Sequence, residues 1–433
     1  MSSESNPTQL TPRLSAAYWR LWTASTISNL GDGIFLVALP LLAARLTRDT
    51  FSISLIGVFA SIPWLVLSLP IGAIIDRTDR RRVLIWADLV RAALVGLLAV
   101  VVAADAAHIW MLWALALGLG IAEVFFDNAA QAIVPAIVPF PLLERANGRR
   151  YAAEVTANIF VGTPLGAVLF GVALWLPFGI DTASFAVAIV LVATLRGSFR
   201  PAASGEPRGS LSAEVRSGLR WLWSHRLLRG LAIALGLTNF GFQMSQALFV
   251  LYAQDLLHVS ETYFGVLLGV MGLGSILGGL IGDRVVKRVG KLFALYSSIC
   301  VGIAALLAVG TLPITWFITL MAALEAFAAT LWNIVSVSLR QQIVPDHMFG
   351  RVNSVYRWFG WGSMPLGALA GGVVASQYGL RAPYFTGAIA IFLALLVMLA
   401  TVTRSTLAEA LAAVRSPSDD DTPISLERDP LFD

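Results

Sequence analysis

The chain has 433 residues, of which 57% are hydrophobic and only 13% charged, with a mean hydropathy of +0.77. Soluble domains carry charge at about a quarter of their positions, so this composition excludes an ordinary water-soluble enzyme and places the chain among membrane proteins. A net charge of +4 in so apolar a chain points to membrane topology rather than to nucleic acid.

The N-terminal stretch MSSESNPTQLTPRL is polar and lacks an apolar core before a small-residue cleavage site, so no cleaved signal peptide is expected. Crossing the hydrocarbon core takes about 20 mostly apolar residues. Runs of that length fall at 17–45, 51–75, 83–105, 109–138, 149–174 and 177–196, then at 227–255, 260–282, 290–311, 313–340, 350–377 and 381–403. Helices are forced, because lipid offers no partner for an open backbone. The expected fold class is therefore an all-α integral membrane protein of twelve transmembrane helices. Residues 1–16 form a cytoplasmic tail, 17–196 a first bundle and 197–226 a connector; 227–403 form a second bundle and 404–433 a disordered tail. Within the connector, AEVRSGLRWLWSHR reads as a basic amphipathic helix on the membrane surface. Cys300 is the sole cysteine, so no intramolecular disulfide forms.

Basic residues concentrate in alternate loops, at Arg77, Arg80, Arg81 and Arg82, at Arg145, Arg149 and Arg150, and at Arg284, Lys287, Arg288 and Lys291. The positive-inside rule places these loops and both termini in the cytoplasm. The pattern also repeats. GAIIDRTDRR from Gly72 returns as GLIGDRVVKR from Gly279, and VPFPLLERAN from Val138 returns as VPDHMFGRVN from Val344. The two offsets are 207 and 206, so the chain reads as two six-helix halves in the same orientation.

Polar residues inside spans cost about 2.5–3.5 kcal/mol for a central charge on insertion scales, so their pattern is informative. Span one carries Ser25, Asn29 and Asp32 on one face, and span four Glu123, Asp127 and Gln131. Span seven carries Asn239, Gln243 and Gln246, and span ten Glu325, Asn333 and Ser336. Spans six, nine and twelve are nearly featureless. The wet helices are thus one, four, seven and ten, around one central cavity. Phe35, Phe126, Trp332 and Trp361 are expected to add aromatic lining suited to a bulky amphipathic solute. Glu123 and Asp127 lie one turn apart, and two carboxylates that close in a low dielectric do not easily both ionise, which suits proton-coupled exchange. Asp32, Glu123, Asp127 and Glu325 are the proton-coupling candidates. Asp88 and Arg91 read as supports of the loop before span three, and Glu154 as part of an inner gate. No phosphate loop and no Cys/His cluster at metal-ligand spacing occurs, so the expectation is no ATP, no metal and no cofactor beyond the proton gradient as energy source.

With these residues in view, the chain resembles the major facilitator superfamily over all twelve spans. Gly72, Asp76, Arg77, Arg80 and Arg81 match its loop signature Gly-x-x-x-Asp-Arg-x-Gly-Arg-Arg, with Asp79 where a glycine is usual. The second copy keeps Gly279, Asp283, Arg284, Lys287 and Arg288. The segments NLGDGI, AIVPAIVPFPLLERANG and PFGIDTASFAVA look like the drug-efflux branch that includes macrolide and enterobactin exporters. The resemblance implies that both loops form a cytoplasmic gate, the loop acid docking at span eleven. It further implies alternating access in a multi-pass bacterial cell-membrane protein, working as a monomer among membrane lipids. The expected function is a secondary active transporter, a proton-coupled exporter of hydrophobic or amphipathic small molecules such as drugs or siderophore-like metabolites, and not an enzyme. A proton symporter importing a polar nutrient, or a lipid-handling or receptor-like membrane protein, is the alternative.

Overall fold

A computed structural model describes residues 14–75, 78–139, 142–196, 199 and 211–415. Among these residues every regular element is a helix, and ten helices are long and apolar enough to cross a membrane. The first half holds α1 (Ala16–Leu46), α2 (Thr50–Ile75), α3 (Arg80–Ala103) and α4 (Ile109–Ile137). Its fifth rod is α5 (Leu143–Val155), a π-helical segment Thr156–Gly162 and α6 (Thr163–Val172), followed by α7 (Leu176–Ala193). The connector contributes α8 (Leu211–Ser224). The second half begins with α9 (Arg226–Gln246), which continues through α10 (Phe249–Leu251) and a π-helical turn Tyr252–Leu256. Then come α11 (Glu261–Val289), α12 (Lys291–Thr311) and α13 (Thr315–Ile343). A rod broken at Ser363 follows, α14 (Asp346–Gly362) and α15 (Met364–Tyr378), and then α16 (Ala382–Thr401). The expected seventh and eleventh spans thus fall on the two rods that break.

Packing repeats between the halves. Helix α1 lies along α7, α2 along α4, and α3 between α4 and α7; correspondingly α9 lies along α16, α11 along α13, and α12 between α13 and α16. The cross-half contacts repeat too, α2 with α15 and α11 with α6. Small residues make such approaches possible. At Gly33 a Cβ would lie 2.0 Å from the Asn158 carbonyl oxygen. That carbonyl belongs to the π-helical stretch, which precedes Pro164, a residue with no N–H for regular helical pairing.

Three expectations change at the end of the molecule that carries the arginine-rich loops. The tail does not begin disordered: Arg404–Arg415 forms α17, packed on α13 and α9, because its apolar face finds those helices. The connector helix α8 exists, but it packs against α14, with Leu222 fully buried, rather than resting on lipid alone. Asp283, Arg284, Lys287 and Arg288 are not in a loop, since α11 runs unbroken to Val289 and ends at Gly290 with φ +90°. Asp283 is exposed and pairs with Lys287 of its own helix at 2.6 Å, so it does not dock across the halves. In the first copy, Asp76 and Arg77 lie outside the described residues and Gly72 lies within α2. Asp79 needs no glycine freedom there: at φ −71° it caps α3, its carboxylate accepting from the Arg81 N–H at 3.0 Å. Arg81 and Arg20 donate to the carbonyls of Ala193 and Thr194 at the C-terminal end of α7, where cations oppose the helix dipole.

At the opposite end, Arg45 of α1 holds Glu261 of α11 through two hydrogen bonds of 2.6 and 2.7 Å. Nearby, Arg48 donates to Gln254 at 2.8 Å and Asp255 at 3.2 Å. Both pairs cross between the halves. At such exposed positions each is worth at most about 1 kcal/mol, and about 1.4 kcal/mol in total is a tenfold bias. They favour one arrangement without locking it.

Gly33→Ala should lower stability by about 1–3 kcal/mol through overpacking against backbone that cannot yield. Gly148→Ala, where nothing lies within 4 Å of the added Cβ, should be neutral or stabilising by up to roughly 1 kcal/mol. Thermal unfolding of the two variants in detergent checks the contrast.

Candidate transport cavity

A cavity of about 600 Å³ opens inside the first half, with Trp361 of α14 reaching its wall. Helix α1 contributes Ser25, Ser28, Asn29, Asp32 and Phe35; α4 contributes Glu123, Phe126, Asp127 and Gln131. Helix α3 adds Arg91, α5 adds Arg150 and Glu154, and the π-helical segment adds Asn158. Asp181 and Phe185 come from α7, and Trp361 from α14. These side chains lie along the helices within the membrane-spanning rods rather than in the loops. Arg91, for instance, is eleven residues beyond Arg80, about 16 Å at 1.5 Å a residue.

Arg91 is the central group. It is 6% exposed, lies 3.8 Å from Asp88, and places its Cζ 4.5 Å from the Phe126 ring and 5.7 Å from that of Phe185. The carboxyls whose charge acts on it are Asp32, Glu123, Asp88 and Asp127. A guanidinium at this depth is tolerable only with counter-charge and aromatic faces around it. Counter-charge is in surplus: five carboxyls line the cavity (Asp32, Glu123, Asp127, Glu154 and Asp181) against two guanidiniums, Arg91 and Arg150.

The structure brings together Ser25, Asn29, Asp32, Phe35, Glu123, Phe126, Asp127, Gln131 and Trp361 from the sequence candidates. It does not bring Asn239, Gln243, Gln246, Glu325, Trp332, Asn333 or Ser336 to this cavity. Asn239 spends its amide on the Gly360 carbonyl at 2.8 Å. Gln243 sits among α2, α9 and α15, beside Gly57 and Gly367. Trp332 and Ser336 are packed inside the second half. Arg91 also departs from its expected role: it reaches the cavity rather than propping a loop, since α3 carries it well above the loop. Asp181 was missed because span six otherwise reads as featureless; a single acid in an apolar span was the available signal. It is 1% exposed, and the Ser184 hydroxyl lies 2.8 Å from its carbonyl and 3.4 Å from its carboxylate. Across the halves, Trp361 packs on Trp64 with ring centroids 4.2 Å apart, and the Trp358 indole donates to the Leu65 carbonyl at 3.1 Å.

The family model described as transmembrane secretion effector matches residues 7–430. The chain belongs to this transporter family of the major facilitator superfamily. It is a multi-pass membrane transporter, not an enzyme. Among similar proteins, multidrug efflux pump Tap of Mycolicibacterium fortuitum is 30% identical over 401 residues, covering 86% of this chain and 94% of that protein. Macrolide efflux protein A of Streptococcus pyogenes is 24% identical over 381 residues, covering 84% of this chain and 90% of that one. The solved structure of the nucleoside transporter NupG shares the fold at a TM-score of 0.73 and 13% identity, covering 89% of this chain and all of that one. A bacterial homologue of the iron transporter ferroportin, solved in an inward-facing state, matches at 0.69 and 16%, covering 90% and 99%.

Cysteine accessibility tests the lining. With Cys300→Ser as background, Asn29→Cys and Gln131→Cys should react with a charged methanethiosulfonate at least about tenfold faster than Asn239→Cys and Gln243→Cys, as water-lined and packed sites differ by at least about 1.4 kcal/mol. Equal rates at all four positions would remove the cavity's asymmetry.

Proposed function

We propose that the chain is a proton-driven exporter of cationic or amphipathic small molecules, working by alternating access in the bacterial cytoplasmic membrane. The observation that carries this reading is the excess of carboxyls over guanidiniums around Arg91, in a cavity walled by Phe35, Phe126, Phe185 and Trp361. Two relatives of nearly full length are named as efflux pumps for drugs, which supports export and this class of cargo. Termini and arginine-rich loops face the cytoplasm under the positive-inside rule. The Arg45–Glu261 and Arg48–Asp255 pairs then lie at the outer end, so the arrangement seen is closed to the outside.

The cycle follows from charge balance. Asp32, Glu123 and Asp127 take protons from the outside, where protons are abundant under the gradient. A cation arriving from the cytoplasm displaces them, because the same carboxyls cannot serve both at once. Arg91 keeps the group from filling with protons irreversibly, holding part of the negative charge in place. Rocking of the first half against the second moves either guest across, and the weak outer pairs break and reform within thermal reach. The transporter acts as a monomer, with the proton gradient as its energy source and neither ATP nor nucleic acid involved.

In proteoliposomes with an imposed pH gradient, the wild-type protein should drive tetraphenylphosphonium against its gradient. Asp32→Asn and Glu123→Gln should each reduce that flux at least about tenfold, while Asp283→Asn, exposed and paired within its own helix, should leave it unchanged. Full gradient-driven flux in both cavity variants would contradict the assignment.

A further inference from the structure

The second half contains a buried cation of the opposite character to Arg91. Arg340, near the end of α13, is 7% exposed and stacks on Tyr356 of α14, its Cζ 3.7 Å from the ring centroid. Its Nε and Nη1 are buried and meet no acceptor. The ionisable groups acting on it are the Tyr356 hydroxyl and another guanidinium, Arg357; no carboxylate among the described residues does so. Two turns away on the same face of α13, with Ser336 between them, the Trp332 indole N–H is also buried without an acceptor. A buried charge stripped of its counter-ion is among the costliest arrangements a fold can hold, and an aromatic face recovers only part of that cost.

This donor cluster does not line the cavity, and Arg357 is the residue that links the two. Arg357 stands 5.3 Å above the Trp361 ring, Trp361 lines the cavity, and Arg357 is one of the charges that act on Asp127. We infer that Arg340, helped by Trp332 and Arg357, forms a carboxylate-binding site on the second half, so that the transporter accepts amphoteric solutes. The solute's ammonium end meets the acids of the first half and its carboxylate end the guanidinium fork of Arg340, a geometry suited to planar anions. That the carboxylate belongs to cargo rests on the transport reading above.

The test uses full-length protein in nanodiscs and three probes: ciprofloxacin, which carries an amine and a carboxylate, its methyl ester, which keeps only the amine, and tetraphenylphosphonium. The wild-type protein should bind ciprofloxacin at least about tenfold more tightly than the ester, as expected for one charge-assisted pair in a desolvated site. R340Q should erase that preference and leave tetraphenylphosphonium affinity within about twofold of wild type, well under the tenfold that 1.4 kcal/mol represents. W332F, which loses only the indole N–H, should lower the preference about threefold, within the range for one neutral donor, and decides the matter alone if R340Q does not fold. Equal affinity of the wild-type protein for acid and ester, or an undiminished preference in the variants, overturns the site. Failure of gradient-driven tetraphenylphosphonium flux with the binding preference intact would instead overturn the transport reading and spare the site.

Discussion

Everything in the first half is arranged around one guanidinium at membrane depth. Arg91 cannot be left there alone: a charge near the bilayer centre costs several kcal/mol unless it is paired or hydrated. Four helices therefore bring carboxyls to it or its neighbours, Asp32 from α1, Asp88 from α3 itself, Glu123 and Asp127 from α4, and Asp181 from α7. Phe126 and Phe185 close over its faces. The same arrangement that makes the arginine tolerable leaves negative charge over, and that surplus is what a cation or proton can answer. Stability and function draw on one constraint.

The two halves share a backbone plan but not a charge plan. The main packing pairs of the first half have counterparts in the second. In the second half, however, Asn239 bonds the Gly360 backbone, and no carboxylate among the described residues acts on Arg340. A repeat fixes where helices cross, since crossings depend on small residues and apolar surface. It does not fix which side chains line a cavity, because one changed residue per turn is enough to rewrite that. The halves are then held at one end by exposed pairs of modest strength, as alternating access requires.

The span pattern, the repeat and the wet faces of α1 and α4 were legible because hydropathy and helical periodicity act residue by residue. The polar residues of α9 and α13 do not line the same cavity, and a polar stripe alone does not say which space it faces: Asn239 spends its amide on the Gly360 carbonyl. Arg91 was misplaced for a related reason. Its distance from Asp88 was visible, but its height above the loop depended on where α3 begins, at Arg80. Asp79 shows the reverse case. The residue that stands where the family signature has a glycine is a helix cap, its carboxylate accepting from the Arg81 N–H.

Counting protons is the sharpest test of the central claim that cation and proton compete for the carboxyls around Arg91. Calorimetric titration of the purified protein with tetraphenylphosphonium, repeated near neutral pH in buffers of different ionisation enthalpy, gives the protons released for each cation bound. Release of about one proton or more is expected from linkage between the two guests, and replacing Asp127 by asparagine should reduce it. Tight binding with no proton released in any buffer would contradict that competition.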